Sequence, residues 1–212
     1  MAPRLPTSCG PLPSGGAHVP KSLSENCLAG QVAMDARWLI PDWPAPGGVR
    51  ALFTTRQGGC STVPYDSMNL GDHVGDLPER VVANRALLGQ SMGTEPVFLQ
   101  QVHGTAVLTL DAGTAHGQQA DAAITLQRGV ACTIMVADCL PVLLSAADGT
   151  AVAAAHAGWR GLAGTQGQGV LESVYEEFRA LADMDPLQDA TKMIAWLGPC
   201  IGPAAFEVGA EV

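Results

Sequence analysis

The 212-residue chain contains few charged residues and, among these, few bases. Only 15% of its residues are charged, and eleven Lys and Arg face twenty Asp and Glu, for a net charge of −9. This balance argues against a nucleic-acid backbone as the partner. With 47% hydrophobic residues, the composition is that of a globular protein with a full core. An anionic substrate would need locally placed arginines, and Arg56 and Arg160, both close to glycines, are the candidates.

Signals for export and for membrane insertion are also missing. The N-terminal residues do not show a charged stretch followed by an apolar run, which a secretory signal requires. The longest apolar stretch, residues 129–147, is interrupted by Asp138 and Pro141 and falls short of a membrane span. We therefore expect a cytoplasmic protein without a membrane partner, whose six cysteines are reduced thiols.

Two regions differ in composition. Residues 1–33 are rich in Pro, Gly and Ser and show no hydrophobic periodicity, so we expect a disordered leader or sequence upstream of the natural start. The fold is expected to begin near Met34. Residues 34–212 then form a single catalytic domain.

Short apolar segments bounded by Gly, Asp or Pro predict a protein with more strands than helices. Two helices are predicted from their opening proline or apolar spacing, Pro78–Met92 and residues 169–182. Without regular βαβ alternation, and without a GxGxxG after an early strand, we predict an α+β fold with mixed sheets sandwiched with helices, not a Rossmann fold. The predicted strands are Val49–Thr54, Pro96–Gln101, Ala106–Leu110, Asp121–Thr125, Val130–Ala137, Pro141–Ser145, Ala151–His156 and Met193–Leu197.

Three chemically versatile side chains each follow an apolar run. They are His103 in QQVHG, Cys139 in ADCLP and His156 in HAGWRG, and we predict that each stands at the end of a buried strand. A free cysteine taken alone is more often a small buried hydrophobe, and a lone histidine in a turn is more often structural. Together, one thiolate and two imidazoles on rigid elements indicate either three ligands for zinc or copper, or a Cys/His nucleophilic pair.

Other polar residues are further candidates for the same site. Asp138 and Asp121 are candidates for a proton carrier or for orienting a ligand, and the LGPCIGP segment is typical of a turn that supplies backbone amides. His73 is either an orienter of the kind that ligating imidazoles need or a plain loop residue. The predicted catalytic set is Cys139, His156, Asp138 and Arg56, and the predicted substrate- or phosphate-binding set is Arg56, Arg160, Asn69, His73 and Asp121.

Six segments stand in a distinctive order along the chain. They are TTRQGGCSTVPYDSMNLGDHVGD, QQVHG, ADAAI, TIMVADCLPVLL, VAAAHAGWRGLAG and AWLGPCIGPAAFEVG. Together these motifs resemble the laccase-domain family, whose members are called polyphenol oxidases in older usage and purine nucleoside phosphorylases in more recent usage. The resemblance implies a layered sandwich of the laccase-domain and toxin-deamidase type and a zinc site made by His103, Cys139 and His156. It also implies phosphorolysis of adenosine and inosine, deamination of adenosine and cleavage of methylthioadenosine.

The chain departs from the family pattern at two places. Extra residues, TQGQ, stand between GLAG and GVLE, and we expect them to lengthen the loop before the second helix. The family normally continues well beyond FEVG, whereas this chain ends at Val212. We therefore expect a domain truncated at its C-terminus, with tail strands missing.

The residues, together with what the resemblance implies, lead to three hypotheses about function. The leading hypothesis is a zinc-dependent purine nucleoside phosphorylase with adenosine deaminase activity, whose partners are a purine nucleoside and phosphate, as a monomer or homodimer. A copper polyphenol oxidase is the second, although five histidines are too few for a His-rich copper cluster beside a His₂Cys site; Cu²⁺ stays an alternative ion. The third is a metal-free cysteine hydrolase with Cys139 as nucleophile and His156 as base.

Overall fold

The computed structural model describes residues 38–181 and 192–210. The predicted leader, residues 1–33, lies outside the described residues. Within the described ranges the chain forms three helices: α1 (Pro78–Met92), α2 (Trp159–Ala163) and α3 (Val170–Leu181). The strands there are β1 (Pro96–Val97), β2 (Val107–Thr109), β3 (Ala122–Thr125), β4 (Ala131–Cys132), β5 (Leu140–Ala146), β6 (Val152–Ala157) and β7 (Met193–Leu197).

Five of the strands form one mixed sheet in the order β2-β3-β6-β5-β7. Strands β2 and β3 are parallel, and the remaining neighbours are antiparallel. The central hairpin β5–β6 pairs Leu140 with Ala157 and Pro141 with His156. This register brings the start of β5 beside the end of β6, which is where two of the candidate site residues lie.

The core lies between this sheet and α3. The apolar face of α3 buries Val170, Val174 and Phe178 completely. These side chains pack on alanines of β3 and β6, whose small side chains let the helix approach the sheet closely. The opposite face of β3 presents Ala123 to a second cluster with Val97, Leu99, Leu110 and Ala120. Strand β3 is therefore buried on both faces, which fixes the position of Asp121 just before it.

A small parallel sheet and α1 complete the structure around the loops. Strands β1 and β4 pair with each other. Helix α1 has a proline at its start and ends at Gly93 in the left-handed conformation, as helix-stop signals require. Its Leu88 packs with Trp38, Met68 and Phe98 in a third apolar cluster. The loops on either side of α1 are thereby joined to the sheets.

The predicted α+β class with mixed sheets is confirmed, and so are both predicted helices apart from Ala182, which lies outside the described residues. Several strand predictions are too long. In Val49–Thr54 only Phe53 forms a bridge, to Leu39. Segments Pro96–Gln101 and Val130–Ala137 keep two strand residues each.

The physical reason is that side chains and the loop at residues 117–120, rather than a regular strand, bind the backbone in these two segments. Gln100 keeps a single bridge, to Gln119. The amide of Phe98 donates to Nδ1 of His116. The amide and the carbonyl of Met135 are both bound by the side chain of Gln101, at 2.7 Å each. An apolar run is compatible with such a segment as well as with a strand, because both bury their side chains.

Two further findings bear on the predictions. Among the described residues, no helix combines the length and hydrophobicity that a membrane span needs. Cys132, Cys139 and Cys200 are free thiols, as predicted, but Cys60 is disulfide-bonded, so the prediction of reduced thiols is wrong at that position.

Candidate metal centre

Three different kinds of local structure carry the three candidate ligands. His156 lies on β6, but Cys139 lies in a bend just before β5, and His103 lies in the loop after β1. The prediction that all three end buried strands is therefore wrong for Cys139 and His103. His103 has a φ of 59°, which is uncommon for a residue with a side chain. Surrounding contacts must hold this backbone in place.

The three side chains nevertheless converge. Their ligand atoms all lie within 4.8 Å of one another. Cys139 Sγ is 3.9 Å from Nε2 of His103, and the rings of His103 and His156 meet edge to face with centroids 4.7 Å apart. His156 is buried, Cys139 is half-buried and His103 is exposed. The cluster therefore has a closed side in the core and an open side toward solvent.

Asp121 lies on the buried side of the cluster and binds two of its residues, His156 and His103. Its carboxylate is completely buried and accepts four hydrogen bonds. Oδ1 accepts from Nδ1 of His156 at 2.8 Å and from the amide of His103 at 2.9 Å. Oδ2 accepts from the amides of Val102 at 3.1 Å and Gly104 at 2.7 Å. One carboxylate thus fixes both the ring of His156 and the left-handed backbone of His103.

The hydrogen bonds also set the charge of Asp121 and the tautomer of His156. Burial alone would raise the pKa of Asp121, but the hydrogen bonds from His156 and from the amides of Gly104, Val102 and His103 outweigh it, so the pKa is lowered. An ionised carboxylate only accepts hydrogen bonds. Nδ1 of His156 therefore carries the hydrogen, and Nε2 is left with a free lone pair. This is the arrangement found where a carboxylate supports a metal-binding histidine.

The environment of Cys139 disfavours a thiolate in the absence of a cation. Burial raises the pKa of Cys139, and the negative charge of Asp138, a hydrogen bond with that carboxylate and the charge of Asp121 raise it further. A reactive cysteine nucleophile normally has the opposite, electropositive surroundings. A divalent cation would reverse this effect, because a coordinating thiol is deprotonated by the metal itself.

The donor set fits zinc. One thiolate and two imidazoles with one remaining open position are typical of catalytic zinc sites. Ideal tetrahedral coordination places such donors roughly 3.3–3.6 Å apart, given the usual zinc–ligand bond lengths. The 3.9 Å between Cys139 Sγ and His103 Nε2 exceeds this by a few tenths of an ångström, and separations in the group extend up to 4.8 Å, so the side chains must draw together when they bind an ion. Among residues 38–181 and 192–210, no other cluster of three His, Cys, Asp or Glu residues has such spacing.

Gly158 forms a wall of the cluster. A Cβ atom at this position would lie 2.8 Å from Cδ2 of His103 and 3.0 Å from Sγ of Cys139. Both contacts are shorter than or at the limit of what real Cβ atoms show. The glycine is therefore required here for space, since its φ of −69° is accessible to any residue.

We expect Gly158→Ala to lower zinc affinity at least about tenfold, because the new methyl group displaces two of the three ligands. Gly202→Ala is the matched control, since a Cβ there meets nothing within 4 Å. Competition with a chromogenic chelator measures both affinities. Equal zinc affinity in the two variants would show that Cys139 and His103 do not bind the ion together.

The structure places the remaining predicted site residues as follows. Exposed Arg56 binds Asp66, through Nε to the backbone oxygen at 2.8 Å and through the carboxylate at 3.4 Å. A shallow cavity of about 350 Å³ is lined by these two residues, Gln57 and Ser67. Arg160 lies over the ring of Trp159, 4.3 Å from its centroid, at the start of α2.

Asn69 and His73 occupy the loop before α1. The side chain of Asn69 binds Gly71 and, at 3.0 Å, Asp76. His73 is exposed and lies 3.7 Å from Asp72. The described side-chain contacts of these two residues and of Arg56 and Arg160 are with residues nearby in the sequence and not with the three cluster residues, so their assignment to substrate or phosphate stays a prediction.

The segment LGPCIGP lies against the candidate centre, as its turn-like sequence predicts. The amide of Ile201 donates to the backbone oxygen of Asp138 at 2.9 Å, and that of Gly198 donates to Pro141. The sequence does not predict α2, because the two glycines of HAGWRG disfavour a helix. It also does not indicate Arg85, which lies in none of the quoted motifs, or the role of Gln101, whose amide in QQVHG has no distinctive chemistry.

The family described as multi-copper polyphenol oxidoreductase laccase matches residues 50–212. The chain is 50% identical over 175 residues to a protein of Pseudomonas aeruginosa named purine nucleoside phosphorylase, covering 82% of this chain and 66% of the relative. It is 48% identical over 179 residues to the Escherichia coli purine nucleoside phosphorylase YfiH, covering 84% and 69%. The chain thus spans about two thirds of the length of these relatives.

Solved structures agree with the sequence matches. A Neisseria meningitidis protein aligns with a TM-score of 0.70 at 45% identity, over 82% of this chain and 67% of that one. YlmD from Geobacillus stearothermophilus aligns with a TM-score of 0.68 at 28% identity, over 84% and 68%. The predicted family and its layered α+β fold are confirmed: the chain belongs to the family described as multi-copper polyphenol oxidoreductase laccase.

Proposed function

We propose that the protein is a zinc-dependent purine nucleoside phosphorylase that accepts adenosine, inosine and methylthioadenosine and also deaminates adenosine. The observation that carries the proposal is the convergence of His103, Cys139 and His156 on one point with Asp121 beneath it. The names of the relatives supply the reaction class. Because the chain spans about two thirds of those relatives, their activity is a proposal for this chain.

His103, Cys139 and His156 would hold the zinc ion. When bound, zinc with one open position polarises a coordinated water or substrate oxygen. Asp121 keeps His156 in the ligating tautomer and holds the backbone of His103 in place. The exposed side of the cluster, at His103, is the side from which a nucleoside can approach.

Phosphorolysis needs a phosphate oxygen to attack the anomeric carbon while the bond to the purine nitrogen breaks. The departing purine then needs a proton. Asp138 is the proposed carrier, because its side chain is exposed and hydrogen-bonded to Cys139 at the rim of the centre. Arg56 and Arg160 are the proposed phosphate binders, since guanidinium groups bind phosphate in a bidentate manner. Phosphate would replace the carboxylate of Asp66 as the partner of Arg56.

The two alternatives have less support. A copper oxidase of phenols needs further histidine clusters, and in the described part of the chain His73 and His116 lie beside Asp72 and Glu95 instead. A metal-free cysteine hydrolase needs a thiolate at Cys139, whereas burial and the adjacent carboxylates raise the pKa of that thiol. The zinc enzyme alone uses both features of the site, the three donors and the anionic surroundings.

The test is product analysis by liquid chromatography after incubation of zinc-loaded protein with adenosine, with and without inorganic phosphate. We expect adenine only when phosphate is present, and inosine in both cases. Release of ribose 1-phosphate in an amount equal to adenine plus hypoxanthine confirms transfer to phosphate rather than hydrolysis, since inosine formed by deamination is cleaved as well. Adenine without a phosphate requirement would replace phosphorolysis by nucleoside hydrolysis.

A second measurement separates the metal-free alternative. Iodoacetamide labelling of Cys139, followed by mass spectrometry, should be slow in the zinc-loaded protein and faster after treatment with a chelator, because zinc protects a bound thiolate. Labelling that is equally fast with and without chelator, in a protein that forms no purine product, would favour the cysteine hydrolase.

A further inference from the structure

Arg85, on α1, packs between several parts of the chain instead of extending into solvent. Its Nε donates to the backbone oxygen of Leu70 at 2.8 Å, and Nη2 lies 3.3 Å from the carboxylate of Asp72. The guanidinium covers the ring of Phe98, 4.1 Å from its centroid. Only 20% of the side chain is exposed. Burying a guanidinium is costly unless it is paired and hydrogen-bonded, and these contacts meet that requirement.

The same guanidinium reaches the segment that leads to the candidate metal centre. Nη2 of Arg85 lies 3.9 Å from the sulfur of Met135. The backbone of Met135 is held at both its amide and its carbonyl by the side chain of Gln101, at 2.7 Å each. Gln101 precedes the ligand His103 by two residues. A continuous set of contacts therefore joins the loop at Leu70 to the segment that carries His103.

Asn84, the residue before Arg85, holds the start of the same loop, directly before Leu70. It is completely buried. Its Nδ2 donates to the backbone oxygens of Asn69 at 2.8 Å and Ser67 at 3.2 Å. Two consecutive residues of α1 thus fix the backbone of the loop that carries Asn69 and His73. The loop has no strand or helix of its own at residues 69–76, so these side chains substitute for a backbone ladder.

We propose that Arg85 is a positioning residue that holds the loop from Asn69 to His73 in a fixed relation to the segment of His103, so that the loop is ordered before substrate binds. The inference rests on the proposed function, in which this loop contacts the nucleoside or phosphate. Ordering a flexible loop costs free energy at the moment of binding, and preorganisation removes that cost. Loss of Arg85 should therefore weaken substrate binding more than it slows the chemical step.

The test is Arg85→Lys, which keeps the charge and most of the apolar stem but loses the planar fork of donors. Arg128→Lys is the control, because Arg128 is exposed and lies outside this set of contacts. With adenosine and phosphate as substrates, we expect Arg85→Lys to raise KM about tenfold and to leave kcat within about twofold. Bound zinc should stay stoichiometric, and amide hydrogen exchange at residues 69–76 should accelerate.

A second variant distinguishes the proposed role of Arg85 from a general loss of structure. Asp72→Asn removes the charge of the exposed partner of Arg85, which also lies beside His73, and leaves the contacts of Arg85 with Leu70, Phe98 and Met135 in place. We expect a smaller KM increase in the same direction. Unchanged KM and unchanged loop exchange in both variants would overturn the proposal. So would a parallel loss of kcat and zinc in Arg85→Lys, since that is the signature of a general structural role. If the wild-type chain forms no purine product, the proposed function fails, and loop exchange alone then decides whether Arg85 orders the loop.

Discussion

Cys139→Ala is expected to abolish both stoichiometric zinc binding and the formation of purine product. The substitution removes the only thiolate of the candidate centre and leaves two imidazoles, whose rings are 4.7 Å apart. Catalytic zinc sites have three protein ligands, so a centre with two should lose the ion at micromolar free zinc. We expect a fall of at least about a thousandfold in kcat/KM, which is a typical cost of losing a central group of a catalytic site.

The measurement pairs metal analysis with the adenosine assay. Metal content by inductively coupled plasma mass spectrometry and product by chromatography are compared for wild type, Cys139→Ala and Cys200→Ala. Cys200 is the matched control because it is a free, exposed thiol in the neighbouring segment. We expect it to behave as wild type.

The combination of results assigns the role of Cys139. Loss of zinc together with loss of product makes Cys139 a metal ligand. Loss of product with full zinc content would contradict this and make Cys139 a group that acts directly on substrate. Retention of both zinc and product would remove the cluster from the proposed function altogether.

The sequence indicates the members of the cluster better than it indicates how they are held. An apolar run followed by His or Cys identifies His103, Cys139 and His156, because such residues end the segments that bury their neighbours. The same pattern does not show whether the apolar run forms a strand. At Pro96–Gln101 and Val130–Ala137 most of the run is loop, since its backbone is bound by the side chains of His116 and Gln101 and by the loop at residues 117–120.

For Asp121, too, the sequence indicates that the residue belongs to the site but not what it does there. Its place before a buried strand predicts a role near the site, as a proton carrier or as an orienter of a ligand. The structure favours orientation, because all four hydrogen bonds of the buried carboxylate come from His156 and the 102–104 backbone. A sequence cannot show this choice, since Asp121 and His156 are 35 residues apart and meet only when β3 pairs with β6.

The contacts of Arg85 are even harder to predict from a sequence. Its partners Leu70, Phe98 and Met135 are up to 50 residues away, and Arg85 itself lies in none of the quoted motifs. A run of charged residues, or a charged residue in a helix, most often lies on a solvent-exposed face. Side chains that bind backbone groups across elements therefore remain invisible until the elements are placed, and here they hold the loops around the candidate centre.

Asp121→Asn is expected to weaken zinc binding and to destabilise the fold. Asparagine has the shape of aspartate but only one accepting oxygen, and its amide group is a donor. In either orientation the amide group faces two N–H donors, from the pair His156 and His103 or from the pair Val102 and Gly104. Each buried donor without a partner costs about 1–3 kcal/mol, so we expect the free energy of unfolding to fall by about 2–6 kcal/mol. Loss of the carboxylate behind His156 should lower zinc affinity about 10–100-fold.

The acid dependence of stability provides a separate readout of the same carboxylate. The pKa of Asp121 in the folded protein is lowered from its ordinary 3.8, so its contribution to stability is complete above that value and is lost as the pH falls toward the folded pKa. Urea unfolding of the zinc-free protein between neutral and acid pH should therefore show a smaller loss of stability at low pH in Asp121→Asn than in wild type. Asp42→Asn, at an exposed position, is the control and should follow wild type. Wild-type stability and zinc affinity in Asp121→Asn would show that the buried carboxylate does not organise this centre.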